Sequence, residues 1–250
     1  MTVPLFAITL FVSGFLLFLI QPMVAKMILP LFGGAPAVWN ICMVFFQVVL
    51  LAGYSYAHLT TAWFGVRHQS KLHLILLALT FLVLPIGISD HWTLTSHAPP
   101  ALSLLQLLCL GVGLPFFIVS TSAPLLQRWF SQTGHPAARD PYFLYVASNL
   151  GSLLALIGYP FLIEPHLRLT QQSTVWVLGF GGLVILSAGC ALIVWRARNT
   201  GWLGLEPNPA QSPQRNISLG NTLGDELTWS HRLRWVMWSF FPSSVMLSLT

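Results

Sequence analysis

The chain alternates long apolar runs with short polar breaks. Six of the runs approach or exceed the roughly 20 helical residues that cross a hydrocarbon core of about 30 Å. They cover 3–29, 37–57, 72–88, 101–120, 143–163 and 173–195. A seventh run opens near Trp235 and continues to Thr250. The breaks hold Gly33-Gly34-Ala35-Pro36, Pro99-Pro100 and Gly134-His135-Pro136, residue types that interrupt helices. Between 196 and 234 the apolar pattern stops, and Asn199, Gly201, Pro207, Asn208, Pro209, Gln211, Ser212 and Pro213 crowd together. The pattern predicts an all-α fold, a polytopic transmembrane bundle. It divides into a six-helix domain over 1–195, a polar cytoplasmic linker over 196–234, and the start of a seventh span over 235–250. That last run is about 16 residues, short for a crossing, so a longer native protein is expected.

Charge gives the bundle a direction. With the amino terminus inside, the inner loops hold Arg67, Lys71, Arg128, Arg139, Arg196, Arg198, Arg215, Arg232 and Arg234. The outer loops then hold Arg168, with Lys26 in or just beyond the first span. This is the asymmetry of the positive-inside rule. Trp39, Trp92 and Trp176 fall at expected outer ends and Trp63, Trp129 and Trp195 at inner ends, where half-wet indoles form a belt. Six helices, a long inner loop and a further helix resemble one half of a major facilitator transporter, a protein built from two six-helix halves.

Composition agrees with lipid as the solvent. Hydrophobic residues make up 55% and charged residues 7% of the 250 positions, where a soluble domain carries about 25% charged. The net charge of +5 comes from eleven scattered Lys and Arg, without the basic cluster of a nucleic-acid site. Cys42, Cys109 and Cys190 each lie in an apolar run and form no CxxC or CxxH pair, so no metal site is expected. HExxH, GxSxG and P-loop motifs are absent, so no catalytic residue and no cofactor are assigned. The cluster Gly179-Phe180-Gly181-Gly182 lies mid-span, where glycines serve close helix packing.

Polar groups inside spans are the remaining candidates, because they are costly there and face the protein interior. Gln21 precedes Pro22, which removes a backbone donor and frees the carbonyl near Phe18. A broken helix beside a polar side chain is one way to build a transporter site. Lys26 is a candidate on the same helix, although residues 3–20 already span about 27 Å and its ammonium can snorkel outward. Asn40 and Gln47 are seven residues apart, on nearly one helix face. Asn149 stands among Ser148, Gly151 and Ser152, where small residues permit close helix approach. Gln21, Lys26, Asn40, Gln47 and Asn149 are therefore the candidate substrate-binding residues, with interhelical packing as the plainer use of the amides. In helix four, Gly111, Gly113, Pro115 and Ser120-Thr121-Ser122-Ala123-Pro124 mark a place to bend, with hydroxyls near freed carbonyls. The histidines at 58, 68, 73, 91, 97, 135, 166 and 231 read as interfacial.

Several stretches resemble one bacterial family. They are Phe11-Val12-Ser13-Gly14-Phe15, Ile20-Gln21-Pro22-Met23-Val24-Ala25-Lys26 and Phe32-Gly33-Gly34-Ala35-Pro36-Ala37-Val38-Trp39-Asn40. Further on come Ser122-Ala123-Pro124-Leu125-Leu126-Gln127-Arg128-Trp129-Phe130 and the block from Asp140-Pro141-Tyr142 to Asn149-Leu150-Gly151-Ser152-Leu153. Together they resemble the membrane region of fused major-facilitator and spermidine-synthase-like proteins. The resemblance implies a multi-pass protein of the bacterial inner membrane, followed in a full-length protein by an aminopropyltransferase-like domain. The strand–glycine-loop–helix unit of that domain is absent from these residues. A polycation needs carboxylates in a desolvated site, and the expected spans contain none, so polyamine transport fits poorly.

The leading expectation is a transporter-like module that binds or translocates a small solute. The alternative is a membrane anchor or regulatory domain for a downstream synthase. The partners implied are the lipid bilayer, the remaining helices and soluble domain of a longer protein, and a small-molecule solute. Nucleic acid is not among them.

Overall fold

The computed structural model describes residues 2–87, 99–139 and 141–199. Trp92, most of the 196–234 linker and the run beginning near Trp235 lie outside the described residues, as does the last residue of the expected third span. Regular structure among the described residues is helical: α1 Thr2–Phe32, α2 Pro36–Thr80, α3 Pro100–Leu108, α4 Leu114–Phe130, α5 Tyr142–Gly158, α6 Glu164–His166 and α7 Leu169–Asn199. A π-turn at Cys109–Gly113 joins α3 to α4, and another at Tyr159–Ile163 joins α5 to α6. Five helical runs are long and apolar enough to cross a membrane: Thr2–Phe32, Pro36–Thr80, Pro100–Phe130, Tyr142–His166 and Leu169–Ala197. Helices are the natural outcome in lipid, where no water is present to take up an open backbone group.

The proline sites resolve in different ways. Helix α1 runs unbroken across Pro22 and Pro30, so the interrupted first helix expected from Gln21-Pro22 is not formed. Both π-turns, by contrast, stand at prolines: Pro115 lies two residues past the end of the first and Pro160 lies in the second. A wider turn accommodates the missing N–H and the ring that would strike the previous turn. The hydroxyls of Ser120, Thr121 and Ser122 donate to the carbonyls of Phe117 and Ile118 in their own helix.

Helix α2 replaces two expected spans with one helix broken at Gly65. Its φ of 66° and ψ of 166° lie in a region open to glycine alone. Two arms result, 36–64 and 66–80, and they double back on each other. Gly53 on the first arm touches the Ser120 side chain, and His73 on the second meets Thr121, the next residue of α4. Twenty residues of straight helix would set Gly53 and His73 about 30 Å apart. Phe46–Phe116 on the first arm and Gln69–Trp129 on the second extend the same opposed order along α4.

The contacts order the ends of every helix. Phe6 packs on Phe130, Phe130 on Phe143, and the Trp195 indole N–H donates to Ser70. This end carries Arg67, Lys71, Arg128 and Arg196 and is the basic end of the bundle. At the other end, Lys26 meets Glu164 and the Ser173 hydroxyl donates to the Ile86 carbonyl.

Helix α1 is the central element, packed against α5, α7 and α4. Backbones approach closely where side chains are absent. A Cβ on Gly14 would collide with the Ser148 carbonyl, and one on Gly151 with the Phe11 carbonyl. On Gly179 it would come within 2.9 Å of Leu16 Cδ2. The small residues of α5 and the first glycine of the α7 cluster thus serve close packing. Gly182 has open space and plays no such part.

Two tryptophans expected in the interfacial belt are instead fully buried. Trp176 donates its indole N–H to the Leu16 carbonyl at 3.0 Å, and Trp129 donates to Gln69 Oε1 at 2.6 Å. With the N–H satisfied, the ring is free to enter the core. Trp63 is 72% and Trp39 42% exposed, as a belt requires.

Candidate functional site

Two polar candidates of the first two spans, Gln21 and Gln47, meet at one seam, where the first arm of α2 lies along α4. Gln21 reaches it from α1. Together with Met43, Phe46, Gln47, Leu50 and Phe116 it lines a cleft of 130 Å³. Helical spacing explains the grouping, because Met43, Gln47 and Leu50 are four and three residues apart and share a face. Gln21 and Gln47 are therefore brought together although 26 positions separate them in sequence. Asn40 is exposed near the start of α2, and Asn149 is exposed on α5; neither lines this cleft.

Further along the seam the helices close. Gly53 is pressed against Ser120, and the Tyr56 and Phe117 rings meet edge to face at 5.6 Å. Beyond this constriction, toward the basic end, a second cleft opens with a volume of 380 Å³. Tyr54, Ala57, His58, Thr61 and Ala62 form one wall, and Pro124 and Arg128 the other. Tyr54, His58 and Thr61 follow an i, i+4, i+7 spacing, and Pro124 and Arg128 are one turn apart. The seam is thus open at two places and shut between them.

Lys26 occupies a different setting. Its Nζ donates to Glu164 Oε1 at 2.5 Å, with both side chains 40% exposed. Glu164 lies one residue past the expected fifth span and is carried into place because the helix continues through the π-turn to His166. Lys26 therefore has an acidic partner rather than only a path to the surface. No local sequence signal points to a partner 138 residues away.

A buried polar group holds the second arm of α2 against α4. His73 is fully buried rather than interfacial, with Nδ1 3.4 Å from the Thr121 hydroxyl and its ring edge-on to Trp129. Gln69 accepts from Trp129, and Ser70 accepts from Trp195. Gln69 Nε2 and His73 Nε2 are buried without a partner. The reason is the fold-back at Gly65, which turns the 69, 70, 73 face of this arm onto α4 and α7.

Among the described residues, no three His, Cys, Asp or Glu side chains are grouped to hold a metal ion. The three cysteines are free, Cys42 and Cys190 buried and Cys109 exposed.

The chain matches no protein-family model, no curated protein and no solved structure. Sequence patterning named Gln21 and Gln47 among its five candidates. It missed Tyr54, His58, Thr61 and Arg128, whose shared helix faces are visible in their spacing but whose opposed placement is tertiary.

Proposed function

We propose that this chain is a membrane transport module that binds or translocates a small solute, with the α2–α4 seam as its path. The observation that carries this reading is the pair of clefts on one seam, each with polar side chains in a largely apolar lining, separated by the Gly53–Ser120 constriction. Two mouths with a closed middle suit a path that opens to one side at a time. In the same reading, the two arms of α2 are separate crossings. Six crossings with an amino terminus on the basic, cytoplasmic side then form one half of a major-facilitator-like bundle. The resemblance to the membrane region of fused spermidine-synthase-like proteins of bacterial inner membranes fits this layout.

The test is aqueous accessibility. Gln47→Cys and His58→Cys are introduced singly after Cys42, Cys109 and Cys190 have been changed to alanine, and a membrane-impermeant maleimide is applied to cells and to inverted vesicles. Both positions are expected to react, His58→Cys in inverted vesicles and Gln47→Cys in cells. If neither reacts until the membrane is dissolved, the seam faces lipid. The non-transporting anchor or regulatory domain then becomes the better reading.

A further inference from the structure

We infer that the 380 Å³ cleft at the basic end is a binding site for a small oxyanion, a phosphate- or carboxylate-bearing group held by Arg128 with Tyr54 and His58. The inference rests on the proposed path in one respect, that this cleft opens to water or to lipid headgroups. Its volume lies in the ordinary range for small-molecule sites, about 300–1,000 Å³.

Among the described residues the charge balance is one-sided. Arg128 is exposed in the cleft and forms no ion pair among the described residues. Glu164 is the only Asp or Glu among the described residues, and it is engaged by Lys26 at the opposite end. Arg67 and Lys71 at the same end add positive potential, which raises the local concentration of anions. A cationic solute would meet repulsion here and, among the described residues, no carboxylate.

The donor set is also specific. A guanidinium offers a planar fork of N–H groups that matches two oxygens of a phosphate or carboxylate. Tyr54 contributes a hydroxyl from the opposite wall, and His58, one turn further along, an imidazole N–H. Thr61 differs, because its hydroxyl proton is committed to the Ala57 carbonyl at 2.7 Å. It can therefore accept from a protonated ligand oxygen but cannot donate to an anion. Pro124 has no N–H and adds no competing donor at the wall. Ala57 and Ala62 leave room between the polar groups.

The shared chemistry has two sources, a soluble anion or the phosphate of an anionic lipid. The test uses the whole chain in nanodiscs of zwitterionic phosphatidylcholine, with inorganic phosphate and succinate as probes in equilibrium binding. A parallel arm uses native mass spectrometry of protein offered phosphatidylglycerol. Saturable binding of either probe, weakened about tenfold or more in Arg128→Gln and unchanged in Arg168→Gln, assigns the cleft to a soluble anion. A tenfold loss corresponds to about 1.4 kcal/mol, within reach of one charge-assisted contact. Retention of phosphatidylglycerol by the unmodified chain and its loss in Arg128→Gln, without probe binding, assigns it to a lipid headgroup. Arg128→Lys keeps the charge but not the fork and should show intermediate binding; it also guards against misfolding of Arg128→Gln. If neither probes nor phosphatidylglycerol bind more tightly to the unmodified chain than to Arg128→Gln, the inference is overturned. That failure is separable from failure of the path, since labelling at position 58 reads only whether the cleft is wet.

Discussion

At the scale of single residues, burial of polar groups is governed by whether a partner is present. Trp129 and Gln69 are both buried and joined by a 2.6 Å hydrogen bond, so removing one strands the other. Gln69→Leu strands the Trp129 N–H, a cost of about 1–3 kcal/mol, but also removes the unpartnered Gln69 Nε2, so stability should fall by about 1 kcal/mol, the low end of that range. In Gln69→Leu combined with Trp129→Phe, neither group remains to be stranded, and part of the loss should return. Thermal unfolding of the two variants in the same detergent checks this. Losses that simply add would mean that the bond contributes nothing beyond the packing of the two side chains. Neither partner advertises the other in sequence, because Trp129 reads equally well as a belt residue and Gln69 as part of a loop.

At the scale of the helix, one glycine decides the course of α2. A Cβ on Gly65 would meet nothing within 4 Å, so only backbone conformation restricts this position. Gly65→Ala should cost on the order of 1–3 kcal/mol, the strain of a side chain in a glycine-only region. Gly182 also has open space around it but lies within regular α7, so Gly182→Ala should be neutral or stabilising. Comparing the melting temperatures of the two variants separates strain from crowding. Equal effects would mean that Gly65 is not held in its left-handed conformation. The sequence does place the break between two apolar runs, near His58 to Lys71. It does not say whether the chain leaves the helix there for a loop or for a single residue. That choice depends on how closely the second arm must approach α4.

At the scale of the whole molecule, the opposed contacts of α2 along α4 require the two arms to run in opposite directions. Positions 34 and 134 should then lie on opposite faces of the membrane, with 64 on the same face as 134. Cysteines at Gly34, Phe64 and Gly134, placed one at a time and treated with an impermeant reagent, give the check. Gly34→Cys should react in intact cells, and Phe64→Cys and Gly134→Cys in inverted vesicles. Reaction of Gly34→Cys and Phe64→Cys from the same side would refute two crossings for α2. The basic end, where Arg67, Lys71, Arg128 and Arg196 gather, is the face expected to remain in the cytoplasm.

The sequence by itself determined that the described chain is helical and that its helices suit lipid. That follows from run length and the near absence of charge, properties set by the solvent rather than by any neighbour. Helical periodicity also placed Gln47 on a definable face, and the small residues of α5 and the glycine cluster of α7 marked places of close helix approach. Tertiary structure alone decided which polar residues meet. Gln21 joins Gln47 because α1 packs at the mouth of the seam, and Arg128 faces His58 because the first arm of α2 lies along α4. Lys26 finds Glu164 because a π-turn extends the helix beyond Pro160. The physical reason is common to all three. An apolar run fixes the depth of a helix in the bilayer, but its rotation and its neighbours are fixed by packing between backbones that the run does not encode.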